Sequence, residues 1–304
     1  MNRRKFITRG LTGATLLATQ PAFPLISTAL YSNEPFNMKF SPDFGLFADI
    51  AGSDPLDQIR WAYDQGFRAW ESTSLRQRSN LEQEAISQLI HQLGMEFGQF
   101  VGTVTFSEVT FAGQDEELRE SVVKDALRSV EIAKRMGTKT VHNVLGLADP
   151  RLSWDFQLAN AIEMTKRLMD IYQPEGITMV IEPMNHKIDH PGMFLHTVSQ
   201  AFALVKGVSS PNVKILFDIY HVQIQEGNII PTLELAWDEV GYFQIGDTPG
   251  RNEPGTGEIN YKNVLQFIHD KGYGGFLGLE HGNSIPGKEG VLATIQAYRA
   301  VDPG

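Results

Sequence analysis

The chain contains no cysteine, which excludes disulfides, thiolate metal sites and a cysteine nucleophile. Any metal must therefore be held by oxygen and nitrogen donors. Positive charge is scarce as well: 26 lysines and arginines face 36 aspartates and glutamates, a formal net charge of −10. No local basic stripe offsets it, which argues against DNA or RNA as a partner. Long apolar runs are also missing. The mild run from Leu11 to Ala18 is short and broken by Gly and Thr, and no other segment comes closer to the roughly 20 apolar residues of a membrane helix. With 42% hydrophobic and 20% charged residues in 304, the composition is that of an ordinary globular protein rather than a disordered one.

Residues 1–30 read apart from the rest. Arg3-Arg4-Lys5-Phe6-Ile7 leads into the apolar run and then to small residues and prolines around Gln20-Pro21-Ala22-Phe23-Pro24. This has the shape of an export signal, and its paired arginines resemble a twin-arginine signal, a route for proteins that cross a membrane already folded. The expected location is the periplasm or another exported compartment, with the cytoplasm as the alternative if the signal is not used. Residues 31–304 are expected to form one domain.

From about Met38 onward, short apolar runs alternate with longer amphipathic segments, with no Ser- or Pro-rich linker between them. Eight candidate strands end near Phe47, Glu71, Thr103, Leu145, Met184, His221, Asp247 and His281. Eight alternating units predict an α/β fold, a single (β/α)8 TIM barrel. Helix boundaries are marked by Ser53-Asp54-Pro55 with Gly66, by Ser79 with Gly94, and by Asp115 with Gly137. Leu118, Val122, Ala126, Val130 and Ala133 recur at the spacing of one buried helical face. Thr178–Ile181 and Val213–Phe217 are almost continuously apolar or β-branched, as parallel strands covered on both faces are. An open doubly wound sheet would be expected to carry a Gly-rich phosphate loop in its first turn, where this chain reads Ala-Asp-Ile-Ala-Gly-Ser-Asp.

The last four strands share one feature: a polar residue directly follows each apolar run, at Glu182, Asp218, Gln244 and Glu280. In a barrel the carboxyl ends of all strands face one mouth, so these side chains converge despite their separation in sequence. Three carboxylates and a carboxamide in one low-dielectric cavity repel unless a cation neutralises them. One divalent cation is the economical reading; oxygen donors favour Mg²⁺ or Mn²⁺, and zinc is compatible. No organic cofactor is called for. Taken singly, Asp218 or Glu280 could instead cap a helix and Gln244 could satisfy backbone groups.

The segments Ile181-Glu182-Pro183-Met184-Asn185, Asp218-Ile219-Tyr220-His221-Val222-Gln223, Glu226-Gly227-Asn228 and Gln244 through Tyr261, which contains Gly246-Asp247-Thr248-Pro249-Gly250-Arg251, look like the hydroxypyruvate isomerase family of the xylose-isomerase-like barrels. The likeness is clearest over residues 140–285. It implies a (β/α)8 barrel with metal on Glu182, Asp218, Gln244 and Glu280, and with Glu182 and Glu280 also donating and accepting the proton. Related sugar epimerases generally have histidine at the position of Gln244. The implied reaction is hydroxypyruvate to tartronate semialdehyde through a metal-stabilised enediolate.

His221 and Arg251 are expected to contact a small hydroxy-carbonyl or sugar substrate, an Arg fork suiting a carboxylate, and Asn185 and Asp247 are grouped with them. His142, His186 and Glu71 also fall near strand ends and are expected to line the mouth. A ketose 3-epimerase or other sugar isomerase on the same residues is the nearest alternative. Phosphodiester hydrolysis, which would need more histidine ligands and a basic face, and a non-catalytic carbohydrate-binding protein stand further off. A homo-oligomer is compatible with the sequence.

Overall fold

The apolar runs form eight strands in the computed structural model, which describes residues 34–304: β1 (Lys39–Pro42), β2 (Ala69–Ser72), β3 (Glu96–Thr103), β4 (Thr140–Asn143), β5 (Thr178–Ile181), β6 (Val213–Asp218), β7 (Val240–Ile245) and β8 (Phe276–Leu279). The export-signal reading of residues 1–30 lies outside the described residues. Every pairing is parallel, in the order β1-β8-β7-β6-β5-β4-β3-β2. β1 and β2 pack side by side, so the sheet curls into a nearly closed barrel with one seam.

Among the described residues, ten helices wrap it: α1 (Ala48–Ala51), α2 (Pro55–Asp64), α3 (Asn80–Gln92), α4 (Glu116–Met136), α5 (Trp154–Tyr172), α6 (Val198–Val208), α7 (Ile219–Gln225), α8 (Ile229–Ala236), α9 (Tyr261–Asp270) and α10 (Gly287–Val301). Local chemistry sets their ends. Asp54 accepts from the Leu56 N–H with Pro55 in the first turn. Ser79 and Glu82 form a reciprocal capping box at α3. Asp115 accepts from the N–H groups of Glu117 and Leu118, and α4 stops at Gly137, whose φ of 71° only glycine adopts cheaply. On α4, Val122, Ala126, Val130 and Ala133 are buried, while Leu118 in the first turn is half-buried. No helix among the described residues is long and apolar enough to cross a membrane.

The first strand departs from expectation: β1 ends at Pro42, not near Phe47. Pro42 has no N–H to continue a ladder, and the chain turns through residues 43–47 into α1. Phe47 is buried all the same, its ring 5.0 Å from that of Trp61 and 5.5 Å from that of Phe67.

Inside the barrel, β2 contributes a fully buried carboxyl group, Glu71. Tyr242 donates its hydroxyl to Glu71 Oε2 at 2.5 Å, and Gln244 Nε2 lies 3.5 Å from Oε1. The space for Glu71 exists because Gly278 on β8 has no side chain: a Cβ there would sit 2.2 Å from Glu71 Oε2.

Two stability predictions follow from these contacts. Asp115→Ala should lower the unfolding free energy by about 1 kcal/mol through the lost cap. Gly278→Ala should cost about 1–3 kcal/mol by overpacking, whereas Gly274→Ala, whose added carbon meets nothing within 4 Å, should change little. Urea unfolding of the three variants checks both, and equal midpoints for the two glycine variants would remove the steric argument.

Candidate active site

Glu182 directly follows β5, Asp218 ends β6, Gln244 is the penultimate residue of β7 and Glu280 directly follows β8. The parallel register puts Asp218 opposite Gln244, and Gln244 opposite Gly278. Glu182, Asp218 and Gln244 are buried, whereas the Glu280 side chain is 33% exposed. One donor atom each of Glu182, Asp218 and His221 lie within 4.8 Å of one another. Gln244 Oε1 and Glu182 Oε1 are buried and take no hydrogen bond among the described residues. Such orphaned oxygens are what a cation would satisfy, so the donors fit a divalent ion. Beneath, the bond to Glu71 claims the nitrogen of the Gln244 amide and leaves its oxygen free.

A cavity of about 280 Å³ opens here. Its polar side carries His142, Glu182, His221, Arg251 and Glu280; its apolar wall comes from Val101, Val104, Phe106, Val144 and Met184. Burial raises the Glu182 carboxyl well above the usual carboxylate range, and the neighbouring Glu280 and Asp218 raise it further. Burial also raises Asp218 and Glu280, opposed in both by Arg251. Arg251 Nη2 lies 2.8 Å from Asp218 Oδ2 and 3.1 Å from Glu280 Oε2, and Nε donates to the Glu280 carbonyl at 3.0 Å. Its guanidinium also lies over the Tyr220 ring, 4.7 Å from the centroid.

His142 and His221 are neutral donors or acceptors rather than charges. Burial pushes His142 down to about 4 and His221 down to about 2. His142 Nε2 lies 3.2 Å from Glu182 Oε2. Around His221, the Asn185 amide has a determined orientation: Oδ1 accepts from the Ile188 and Asp189 N–H groups, and Nδ2 donates to Asp189 at 2.7 Å. That same Nδ2 lies 2.6 Å from His221 Nδ1, so Nδ1 is the acceptor and the ring proton sits on Nε2. Nε2 lies 3.5 Å from Glu182 and 3.7 Å from Asp218. A protonated nitrogen cannot ligate a metal, so in this tautomer His221 is a hydrogen-bond donor at the cavity despite its proximity to the two carboxylates.

Four expected positions resolve differently. Asp247 does not face substrate: it is fully buried and accepts N–H bonds from Thr248, Gly255, Gly257 and Ile259, which shape the loop that carries Arg251. Asn185 is likewise fully buried and orients His221 rather than lining the cavity. Glu71 lies inside the barrel below the mouth, because its position on β2 points inward. His186 turns away and stacks on His196, with ring centroids 3.8 Å apart. His142, by contrast, does line the mouth. Sequence reading missed the apolar wall and His190, whose ring stacks on Phe106 at 5.2 Å. Val101 lies within β3 and the rest come from loops, and being apolar or set in a loop none of them shows as an abrupt polar residue ending an apolar run, so the pattern that marked the other side is silent.

Known proteins resemble this chain in sequence and in fold. The sequence is 35% identical over 169 residues to hydroxypyruvate isomerase of Escherichia coli strain K12, covering 56% of this chain and 64% of that one. It is 28% identical over 235 residues to 2-oxo-tetronate isomerase of Cupriavidus necator, covering 74% of this chain and 86% of the other. The crystal structure of a 3-keto-D-glucoside 4-epimerase from E. coli superposes with a TM-score of 0.72 at 20% identity, over 87% of this chain and 98% of that one. Residues 59–301 match the model of the xylose isomerase-like TIM barrel family, and the chain belongs to that family.

Proposed function

We propose that the protein is a divalent-metal-dependent isomerase that moves a proton between adjacent carbons of a small hydroxy-carbonyl compound, with hydroxypyruvate to tartronate semialdehyde as the reaction. The observation that carries this reading is that Glu182 and Glu280 line one small cavity while Asp218, close to Glu182 and joined to Glu280 through Arg251, lies beside them with a buried Gln244 oxygen that has no partner among the described residues. The named relatives support the reaction class. Export through residues 1–30 is part of the proposal.

A bound divalent cation, held by Glu182, Asp218, Gln244 and Glu280, would stabilise the negative charge that develops on substrate oxygens as the carbon-bound proton leaves. Mg²⁺ or Mn²⁺ suits this oxygen set. The chain does the rest. Glu182 and Glu280 stand as proton acceptor and donor on the two reacting carbons, and their raised affinity for protons suits both tasks. His221 Nε2–H donates to a substrate oxygen. Arg251 Nη1, which has no partner among the described residues, takes the acid's carboxylate. The wall of Val101, Val104 and Met184 keeps bulk water from the reacting carbons.

A ketose epimerase is the second reading, favoured by the structural likeness to the glucoside epimerase, because inversion at one carbon uses the same two carboxylates. Incubation of the Mn²⁺-loaded protein with hydroxypyruvate and a panel of ketoses in D₂O, followed by NMR, separates the two. Tartronate semialdehyde carrying carbon-bound deuterium supports the first, and an epimerised ketose alone moves the protein to the second. Glu182→Gln and Glu280→Gln should each lower kcat by about 10²-fold or more; turnover at the wild-type rate in either would end the proton-transfer assignment.

The raised carboxyl groups also predict a pH dependence. Because folding raises their pKa values, the metal-free protein binds more protons than the unfolded chain. Their contribution is intact below the ordinary carboxylate range and is lost as pH rises through the raised values. A cation replaces those protons, so the gain in Tm on adding Mn²⁺ should be larger near pH 8 than near pH 5. Thermal scans at both pH values test this; a gain that shrinks with pH would mean the carboxylates are not the ligands.

A further inference from the structure

Beside the catalytic cavity lies a second one of about 340 Å³, lined by Thr73, Arg76, Gln77, Val101, Val104 and Arg128. The two adjoin, since Thr73, Gln77, Val101 and Val104 line both. Arg76 comes from the short 3-10 turn Leu75–Gln77 after β2, and Arg128 from the middle of α4. Arg76 Nη2 pairs with Asp125, and Arg128 Nη2 donates to the Arg76 carbonyl at 3.0 Å. These bonds tether both side chains at the cavity while occupying one nitrogen of each. Among the described residues, their other N–H groups have no acceptor and Arg128 pairs with no carboxylate. Two guanidiniums sharing one carboxylate leave a local positive excess in a chain of net charge −10. At the other end the charge balance differs, because Arg251 pairs with two carboxylates, Asp218 and Glu280, and leaves no local positive excess.

We propose that this second cavity is a distal subsite, and that the substrate class extends to hydroxy-carbonyl compounds longer than three carbons that end in an anion, a carboxylate or a phosphate. Arg128 and Arg76 bind that anion, while the carbonyl end lies between Glu182 and Glu280. The inference rests on the isomerase reading for the reacting end alone. The fork of a guanidinium matches the oxygens of a carboxylate or phosphate, and the carbon chain between the two ends crosses the apolar surface of Val101 and Val104. The catalytic cavity alone, at 280 Å³, falls just under the range of about 300–1,000 Å³ for small-molecule sites. With the adjoining space it falls within it. Hydroxypyruvate fills only the catalytic end and therefore gains nothing from the arginines.

The test is isothermal titration of the full chain, loaded with Mn²⁺, with three ketoses matched except at the far end: fructose, fructuronate and fructose 6-phosphate. At least one anionic ketose should bind about tenfold or more tightly than fructose, and the advantage should shrink at high salt. In Arg128→Gln the advantage should fall to within about threefold of fructose, with hydroxypyruvate turnover and fructose affinity unchanged. Arg128→Lys, which keeps the charge without the fork, should retain part of it. A preference for the carboxylate alone, the phosphate alone or both supports the subsite and identifies the anion. Equal affinity for all three ketoses, or a preference that survives in both Arg128→Gln and Arg76→Gln, overturns it. An Arg128-dependent preference without hydroxypyruvate turnover supports the subsite while removing hydroxypyruvate as substrate.

Discussion

Carboxylates gathered in a dry cavity must be compensated, and much of the mouth of this barrel is organised by that requirement. Glu182, Asp218 and Glu280 all resist ionisation because burial removes the water that would stabilise their charge. Arg251 answers part of it by placing one nitrogen against both Asp218 and Glu280. To hold the guanidinium there, the backbone at Arg251 takes a left-handed φ of 51°, a conformation that persists only where surroundings over-determine it. The surroundings are the glycine-rich loop, drawn around the Asp247 carboxylate by four backbone N–H bonds. Gly257 is part of the device: a Cβ there would lie 2.2 Å from the Thr248 carbonyl oxygen. The conspicuous loop sequence is thus accounted for by the position of one cation, and Asp247 serves the site without touching it.

The barrel supplies the second half of the arrangement, an asymmetry. Polar side chains stand at or next to the ends of β5 to β8, whereas the loops after β3 and β4 present Val104, Phe106 and Val144. The cavity therefore has titratable side chains on one face and an apolar wall on the other. Below the mouth, Glu71 ties β2 to β7 through Tyr242 and Gln244, so that the barrel interior and the orientation of a candidate ligand depend on the same buried carboxyl. Gly278 is small for that reason rather than for flexibility.

Much of the fold was legible in the sequence because its signals are local. Caps at Asp54, Ser79 and Asp115, the stop at Gly137 and the continuous apolar strands mark elements through interactions within a few residues. The end of β1 was misplaced because Phe47 is apolar and buried like a strand residue, although Pro42 had already ended the ladder. At the site, Glu182, Asp218, Gln244 and Glu280 were legible because an abrupt polar residue after a buried run is costly unless it has a purpose. Asn185, Asp247, Glu71 and His186 carry the same kind of polar signal near strand ends, and their directions separate them from the cavity.

The sequence by itself determined the elements, their number and the four polar strand ends, since periodicity, capping and the cost of burying charge act over short stretches or on single residues. Tertiary structure alone decided which side chains share a space: that Arg251 bridges Asp218 and Glu280, that Asn185 sets the tautomer of His221, and that Arg76 and Arg128 border a cavity next to the candidate site. Those relations join residues far apart in the chain, and they depend on barrel closure and side-chain direction, which no local pattern encodes.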